Sequence, residues 1–438
     1  MIQQHYTFKN RENKELITPT LCPVPWLTQY YESDGKKTMC CKATSFVTSD
    51  VDWNGELIKQ VRKQMLEGKK PNVCTLCYDE EDIDKGLSFR QEWINMLDQR
   101  DPELGTQILN NTNSDGMYNG LPEVQQITLG NTCTNQCNMC SPWNSSALNN
   151  VFKQIHKGLN IPYDEKMFNP RKYKWVTDDD YWNKQIYPRF HYAKALILSG
   201  GEPLIVKRFE QILEYCVDKH IADGIEIYFH TNTAQLPSEH IQALFKEFKH
   251  VLITASIDDI NERNEYIRYP TTWTQTQKFI EWGEGTGDNI TLDVYVTVQN
   301  MNIYHLPDIL DYWLNQNLTK FNKNFGGFVH TYPCHMPEKF NSRILPRRAK
   351  EKVREKFDRW VNNLDYVCPS NDPVIIENSK WALQRLNFLI NNMEDENVLS
   401  PHLNKTNEEH FDDFIQWTLM QDKLRGTDYT EVFPWLTM

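Results

Sequence analysis

The chain lacks any long apolar segment. None of its 438 residues lies in an uninterrupted apolar run of the roughly 18 that a membrane-spanning helix needs, and Met1–His5 carries no apolar signal-peptide region. Positive charge is also scarce, because 47 lysines and arginines face 59 aspartates and glutamates, for a net charge of −12. A nucleic-acid-binding surface normally carries a basic surplus. These absences favour a cytoplasmic protein without a membrane or intact nucleic acid as partner.

Apolar residues are plentiful enough for a packed core. They make up 39% of the chain, and aromatic residues make up 12%, which excludes wholesale disorder. The length predicts about three domains, and we place their boundaries at 1–120, 121–335 and 336–438. The first contains two predicted helices and the last is mostly helical, whereas the middle region alternates strands and helices.

Six short apolar strands are predicted in the middle region. They are Val124–Leu129, Ala195–Leu198, Ile225–Phe229, Val251–Ile257, Leu292–Val298 and Gly327–His330. Their alternation with helices predicts an α/β fold with parallel pairing through right-handed crossovers, as an open sheet or an incomplete barrel. Chemistry in such folds collects at the carboxyl ends of the strands. The stretch 144–194 is too long for an ordinary crossover, so we expect an ordered insertion there, with a lid as one interpretation.

Eleven cysteines are bunched along the chain, and an odd, clustered set indicates metal ligation rather than disulfides. Cys133, Cys137 and Cys140 form a C-x3-C-x2-C array directly after the first core strand. Three thiolates on one loop can hold three corners of a cubane iron–sulfur cluster and leave one iron open to a small molecule. A zinc site completed by a distant residue is the alternative.

A second motif, Ser199–Pro203, follows the next core strand. Gly200 and Gly201 would let a ligand approach the backbone without interference from a Cβ atom. Glu202 adds a carboxylate suited to a ligand ammonium group. Alone this segment is an ordinary turn, but its place at the neighbouring strand end predicts that it faces the three-cysteine loop.

Together the two motifs resemble the radical S-adenosylmethionine (SAM) superfamily, over residues 121–335. The resemblance implies a partial (β/α)6 TIM-type barrel in which the three cysteines hold a [4Fe–4S] cluster. The amino and carboxylate groups of SAM would chelate the fourth iron, and the Gly-Gly-Glu segment would hold the SAM amino group. An electron would then cleave SAM to methionine and a 5′-deoxyadenosyl radical that abstracts a substrate hydrogen. A flavodoxin or ferredoxin is the expected electron donor.

Three further positions match SAM contacts of the family more weakly, and a fourth, Met139, departs from the family pattern. Asn232 resembles a polar ligand contact after the third strand, and Ser256 and Arg268 resemble residues near the SAM ribose and carboxylate. Met139 stands where many members have an aromatic residue before the third cysteine. A helix-capping Ser256 and a surface-paired Arg268 are the alternatives. Adenine contacts are unassigned, because the fifth strand lacks the glycine-bearing motif of some members.

A second cysteine set precedes the core. Cys22, Cys40, Cys74 and Cys77 flank a predicted hairpin over Gln29–Thr38 and a C-x2-C turn, and four thiolates suit either zinc or a cluster. The arrangement resembles the Twitch half of SPASM/Twitch modules, which carry an auxiliary [4Fe–4S] cluster but usually follow the core. Cys41 could replace Cys40 as a ligand.

The leading hypothesis is therefore a radical SAM enzyme with an auxiliary cluster. Its expected substrate is a peptide or protein side chain or a small metabolite. Two alternatives are a non-catalytic iron–sulfur or zinc scaffold and an activase that places a glycyl radical on a partner protein. The sequence assigns neither the substrate nor a general base.

Overall fold

The structure is a computed structural model. It describes residues 7–9, 15–17, 20–43, 51–83, 88–100, 104–165, 170–316, 318–320, 329–362, 373–394, 397 and 403–437. Within these ranges, no helix is both long enough and apolar enough to cross a membrane.

The strands of the described residues form two sheets. They are β1 (Thr7–Lys9), β2 (Glu15–Ile17), β3 (Thr28–Tyr31), β4 (Lys37–Thr38), β5 (Val124–Thr128), β6 (Ala195–Ser199), β7 (Glu226–Thr231), β8 (His250–Ser256), β9 (Ile290–Val298) and β10 (Val329–Pro333). β1 and β2 pair with each other, and the main sheet has the order β10-β9-β8-β7-β6-β5-β3-β4. Every pairing in the main sheet is parallel except that of β3 with β4.

The helices lie before, between and after these strands. They are α1 (Val24–Leu27), α2 (Glu56–Leu66), α3 (Thr75–Ile83), α4 (Phe89–Arg100), α5 (Leu104–Asn110), α6 (Leu148–Gly158), α7 (Asp179–Tyr181), α8 (Tyr187–Phe190), α9 (Lys207–Asp218), α10 (Glu239–Phe245), α11 (Asn261–Ile267), α12 (Trp273–Glu284), α13 (Leu306–Leu314), α14 (Arg347–Asn362), α15 (Pro373–Glu394), α16 (Asn407–Arg425) and α17 (Tyr429–Val432).

The six predicted core strands are present in the expected order, as β5 to β10. The bounds of the first five lie within two residues of the predicted bounds, whereas the sixth ends at Pro333, three residues beyond its predicted end at His330. Residues 327 and 328 of the sixth prediction lie outside the described residues. The predicted hairpin is also present as β3 and β4. An additional feature is that β3 pairs in parallel with β5, so the sheet has eight strands rather than six. The proposed domain boundaries stay a prediction.

One face of the parallel strands packs against helices. Its side chains alternate along each strand with those of the opposite face and are fully buried, as Phe229 of β7 illustrates. The Phe229 ring lies 5.1 Å from that of Phe209 in α9 and 5.6 Å from that of Phe245 in α10. Apolar burial of this kind is the main favourable term in folding. It fixes which side chains of the strands turn to the inner face.

The stretch 144–194 is largely helical and ordered where described, as expected for an insertion. Trp182 is fully buried and stacks on Trp175 at a centroid distance of 5.6 Å. The Trp175 indole nitrogen donates to the Ser33 carbonyl at 2.9 Å. A Cβ atom on Gly35 would lie 2.8 Å from the Trp175 ring, so glycine is needed there. The insertion thus packs against the β3–β4 hairpin, and its interpretation as a lid stays a prediction.

The C-terminal residues are helical, as predicted, and they pack on the core. Val353, Phe357 and Trp360 of α14 are buried. The next residue, Val361, is 38% exposed, because one residue further along a helix lies about 100° around its axis.

Candidate active site

The three-cysteine loop follows β5 and is fixed by the chain segment that ends α11. The Gln136 amide donates to the Tyr269 carbonyl at 2.7 Å, and the Asn138 amide donates to the Ile267 carbonyl at 3.0 Å. The buried Asn135 side chain donates to the Thr271 hydroxyl at 2.6 Å. These contacts hold the backbone between the cysteines in one conformation.

The thiols of this loop sit in a polarised environment. Hydrogen bonding with the Cys140 thiol, followed by the charge of Arg268, lowers the pKa of Cys137 to about 6. The same hydrogen bond raises the pKa of Cys140. Burial raises the pKa of Cys133 to about 11. One thiolate is therefore available near neutral pH, and metal binding would displace the protons from the others.

The turn after β6 packs directly on this loop. Gly200 and Gly201 adopt positive φ angles of +92° and +56°. A Cβ atom on Gly201 would lie 2.1 Å from the Thr132 carbonyl oxygen, and one on Gly200 would lie 2.7 Å from the Gly130 carbonyl oxygen. The glycines are thus required because the backbone leading into the three-cysteine loop approaches them closely. That they also admit a ligand stays a prediction.

Glu202 presents a buried carboxylate beside the loop. Its Oε1 accepts from the Thr231 hydroxyl at 2.9 Å and from the Leu204 amide at 3.2 Å, and its Oε2 accepts from the Asn232 amide at 2.7 Å. Burial raises the pKa of Glu202 to about 7. A buried carboxylate of this kind is stabilised strongly by a cationic ligand, because the ligand supplies an opposite charge in place of the lost water.

Asn232 and Arg268 both reach the cysteine thiols. The Asn232 side-chain amide lies 3.7 Å from the Cys133 sulfur. Arg268 is 9% exposed, its Nη1 lies 3.9 Å from the Cys137 sulfur, and its Nε lies 2.5 Å from Asp258 Oδ2. The alternative of a surface pair for Arg268 is therefore wrong, because both partners are buried. Asp258 is a further charged residue of the site that sequence reasoning did not single out.

The other two predicted contacts are placed less specifically. Ser256 is the half-buried last residue of β8, and Ile260 rather than Ser256 occupies the N-cap of α11, so the capping alternative is wrong. Met139 is partly buried and packs against the main core. Contacts of either side chain with SAM stay a prediction.

The N-terminal cysteines lie around one cavity. Cys22, Cys40, Cys74 and Cys77 line it together with Arg90, and Cys41 is not part of the lining. Burial raises the pKa of Cys74 and of Cys77 to about 12. The structure thus brings together the four thiols that the sequence singled out and places Cys40, rather than its neighbour, on the cavity.

The comparison of this sequence with protein families gives one match. Residues 127–312 match the family described as the Radical SAM superfamily. These residues form a radical SAM domain. The match includes the three-cysteine loop, Glu202 and Arg268. The family implies a [4Fe–4S] cluster and SAM, and its members are enzymes. The three thiols fit the cluster, and the buried carboxylate of Glu202 beside them fits SAM. Among curated proteins, none matches the chain significantly.

Solved structures give distant likenesses. The structure described as native anSMEcpe with bound AdoMet has a TM-score of 0.37 and 16% identity, over 55% of this chain and 61% of that chain. Streptococcus suis SuiB bound to precursor peptide SuiA has a TM-score of 0.34 and 14% identity, over 56% and 47%. SuiB bound to S-adenosylmethionine has a TM-score of 0.34 and 12% identity, over 74% and 65%. The chain thus spans less than two thirds of each of these proteins.

The inner face of the radical SAM domain carries a row of polar side chains below the strand ends. Thr128 pairs in register with Ser199, and their hydroxyl oxygens lie 3.3 Å apart. On the other side, His230 pairs with Thr254, which pairs with Asp293. Sequence reasoning missed this row, because a polar residue that alternates with apolar ones in a strand usually indicates a solvent-facing position.

Aromatic rings continue this inner face on β9 and β10. The Tyr295 ring lies 5.4 Å from His230, 4.9 Å from His330 and 5.1 Å from Tyr332. His330 Nε2 lies 3.3 Å from Asp293 Oδ2. Burial, followed by the nearby His330, lowers the pKa of His230 to about 4, so this ring is neutral at physiological pH.

Helices from both ends of the chain contact β10 and the segment that follows it. The Tyr332 hydroxyl donates to Glu92 of α4 at 2.7 Å, and Arg385 of α15 lies 2.5 Å from the same carboxylate. His335 lies 2.8 Å from Glu80 of α3. The N-terminal helices α3, which contains Cys77, and α4 are therefore joined directly to the wall of the radical SAM domain.

We expect Gly201→Ala to destabilise the protein and displace the three-cysteine loop. The positive φ alone costs about 1–2 kcal/mol for an alanine, and the added Cβ overlaps the Thr132 carbonyl. Thermal unfolding of purified protein measures the loss. The control is Gly224→Ala, because a Cβ atom there meets nothing within 4 Å. Equal melting temperatures for the two variants would contradict this account of the turn.

Proposed function

We propose that this protein is a radical SAM enzyme that cleaves SAM reductively and abstracts a hydrogen atom from its substrate. The observation that carries the proposal is the position of Asn232. Its backbone amide donates to Glu202 at 2.7 Å while its side chain lies 3.7 Å from the Cys133 sulfur. One residue thus joins the carboxylate suited to the SAM ammonium group with a thiol suited to the cluster.

The residues of the site divide the work between cluster and ligand. Cys133, Cys137 and Cys140 would hold a [4Fe–4S] cluster, and the carboxylate of Glu202 would accept hydrogen bonds from the SAM amino group. When bound, the reduced cluster and SAM supply the 5′-deoxyadenosyl radical. Arg268, already paired with Asp258, offers its remaining guanidinium donors near Cys137.

We further propose that the N-terminal thiols hold a second metal centre, an auxiliary [4Fe–4S] cluster, in a Twitch-like module. The cavity between them has a volume of about 20 Å³, which accommodates one ion or water molecule. A cubane is larger, so thiols that hold one lie further apart than thiols that hold a single ion. Zinc requires sulfurs about 3.8 Å apart for Zn–S bonds of about 2.3 Å.

The spacing of the N-terminal thiols supports the larger metal centre, the [4Fe–4S] cluster, rather than zinc. Among the described residues, one set of three potential metal ligands has all its ligand atoms within 4.8 Å of one another, and that set is Glu210, Glu214 and His240. The N-terminal thiols do not form such a set. No three of the four N-terminal thiols are as close together as zinc ligation requires. We therefore retain the cluster as the proposal and make zinc an outcome of its test.

We propose that the substrate enters the inner face of the radical SAM domain. The polar row and the aromatic rings there offer hydrogen bonds and stacking surfaces to a small polar group. This suits a polar side chain of a peptide or protein, or a small metabolite. Reduction by a flavodoxin or ferredoxin and a cytoplasmic location belong to the same proposal.

Replacing Cys137 with alanine tests the radical chemistry. Removal of one of the three ligands should prevent cluster assembly, so formation of 5′-deoxyadenosine should fall to background in reduced, anaerobically reconstituted protein. Chromatography of the products measures it. Cys216→Ala is the control, because Cys216 is a fully buried core thiol. Appreciable 5′-deoxyadenosine from Cys137→Ala would show that this loop does not hold the catalytic cluster.

Glu202→Gln should weaken SAM binding by about 10- to 100-fold, because a charge-assisted hydrogen bond contributes about 1.5–3 kcal/mol. Equilibrium binding to reconstituted protein measures the affinity. Glu210→Gln in α9 removes a carboxylate away from the site and should leave binding unchanged. If both variants bind SAM like the unaltered protein, Glu202 is not the ammonium partner.

Replacing both Cys74 and Cys77 with alanine should remove the second metal centre alone. We expect iron to fall from about eight to about four atoms per chain, while formation of 5′-deoxyadenosine continues in the absence of substrate. Elemental analysis of iron, sulfide and zinc measures this change.

The single variants Cys40→Ala and Cys41→Ala form a matched pair for the same measurement. Only the first should lose metal, because Cys40 lines the cavity and Cys41 does not. One zinc in place of four irons would make the N-terminal centre structural. Unchanged iron in the double variant would show that these thiols bind none.

A further inference from the structure

The C-terminal helix α16 ends against the three-cysteine loop, and its last residue, Arg425, reaches into that loop. Arg425 Nη1 donates to the Asn138 side-chain oxygen at 2.7 Å and to the Tyr266 carbonyl at 3.4 Å. Nη2 donates to the Gln136 carbonyl. Gln136 and Asn138 flank Cys137, so one guanidinium group is hydrogen-bonded to the loop on both sides of its central cysteine.

The end of α16 is itself fixed to the radical SAM domain. Asp422 accepts from the Tyr266 hydroxyl at 2.8 Å, from the Thr427 hydroxyl at 2.6 Å and from the Tyr429 amide at 2.9 Å. Gly426 follows with a φ of +70° and ends the helix. These contacts determine where the Arg425 side chain starts, which makes its position in the loop a built feature rather than a surface contact.

Arg425 is not in direct contact with a carboxylate of the described residues, although the charge of Asp422, three residues earlier in α16, acts on its guanidinium group. Among the described residues, none of the acidic oxygens lies within 4.0 Å of its guanidinium nitrogens, and its Nε is buried without a hydrogen-bond partner. Its guanidinium carbon lies 4.9 Å from the centre of the Tyr269 ring. Burial lowers the pKa of Arg425 only to about 10, so the group stays cationic at neutral pH.

We propose that Arg425 is a positioning residue of the three-cysteine loop, and that its charge favours the reduced state of the cluster which that loop would hold. The second part rests on the proposed function. One electron from the external reductant makes the cluster more negative, and a cation beside Cys137 stabilises that added charge. The C-terminal helices thus complete the cluster site.

Two substitutions separate the effect of the Arg425 hydrogen bonds from the effect of its charge. Arg425→Lys keeps the charge but loses the fork of parallel donors, whereas Arg425→Gln loses the charge. Lys423→Gln is the matched control, because Lys423 is an exposed cation in the same turn of α16. Hydrogen exchange of residues 133–140 in metal-free protein measures how strongly Arg425 restrains the loop. An electron paramagnetic resonance titration of the reconstituted protein measures the reduction potential of the cluster.

We expect exchange in the loop to rise about 5- to 30-fold in both Arg425 variants, because one or two hydrogen bonds are lost. The potential should shift to more negative values in Arg425→Gln, stay near that of the unaltered protein in Arg425→Lys, and be unchanged in Lys423→Gln.

Exchange like that of the unaltered protein in both Arg425 variants would overturn the positioning role. An unshifted potential in Arg425→Gln would overturn the role of the charge. If Arg425→Gln does not fold, Arg425→Lys decides: a reduction potential that shifts in this variant, which keeps the charge, would also contradict the role of the charge. Failure of the unaltered protein to hold a cluster would overturn the proposed function, whereas the metal-free exchange experiment would still decide the positioning role.

Discussion

The backbone contact between the loop after β5 and the turn after β6 is the constraint on which the site depends. The Glu202 amide donates to the Thr132 carbonyl at 2.8 Å, next to the residue where the three-cysteine array begins. The contact is possible because Gly200 and Gly201 carry no Cβ atoms and adopt positive φ angles. It places the thiols and the carboxylate side by side, so one ligand with an amino group can reach both the thiol loop and Glu202.

Residues far apart in sequence converge on this contact. Neighbouring parallel strands bring their carboxyl ends to one edge of the sheet, which collects the loops after β5, β6 and β7. The N-terminal hairpin extends the sheet beside β5, and the α3 and α4 helices contact β10 and His335. From the other end of the chain, α16 delivers Arg425 to the loop. The fold therefore makes one assembly of the candidate cluster loop, the second thiol set and the C-terminal helices.

The sequence predicts the core strands and the thiol sets because these signals are local. Six apolar runs and two cysteine spacings are legible without knowledge of the tertiary structure. The sequence does not predict the pairing of β3 with β5, since a four-residue strand rich in polar and tyrosine side chains has no distinctive pattern. Nor does it predict Arg425 or the pair Asp258–Arg268, because a charged residue gives no local sign that it will be buried beside a partner.

Electron paramagnetic resonance of the reduced, anaerobically reconstituted protein, with and without SAM, tests the central claim most directly. If a cluster with one open iron lies beside Glu202, SAM will bind that iron and change the spectrum of the cluster. We expect such a change in the unaltered protein and its absence in Glu202→Gln at the same SAM concentration. A cluster spectrum that SAM leaves unaltered, at concentrations up to the solubility limit, would contradict the account.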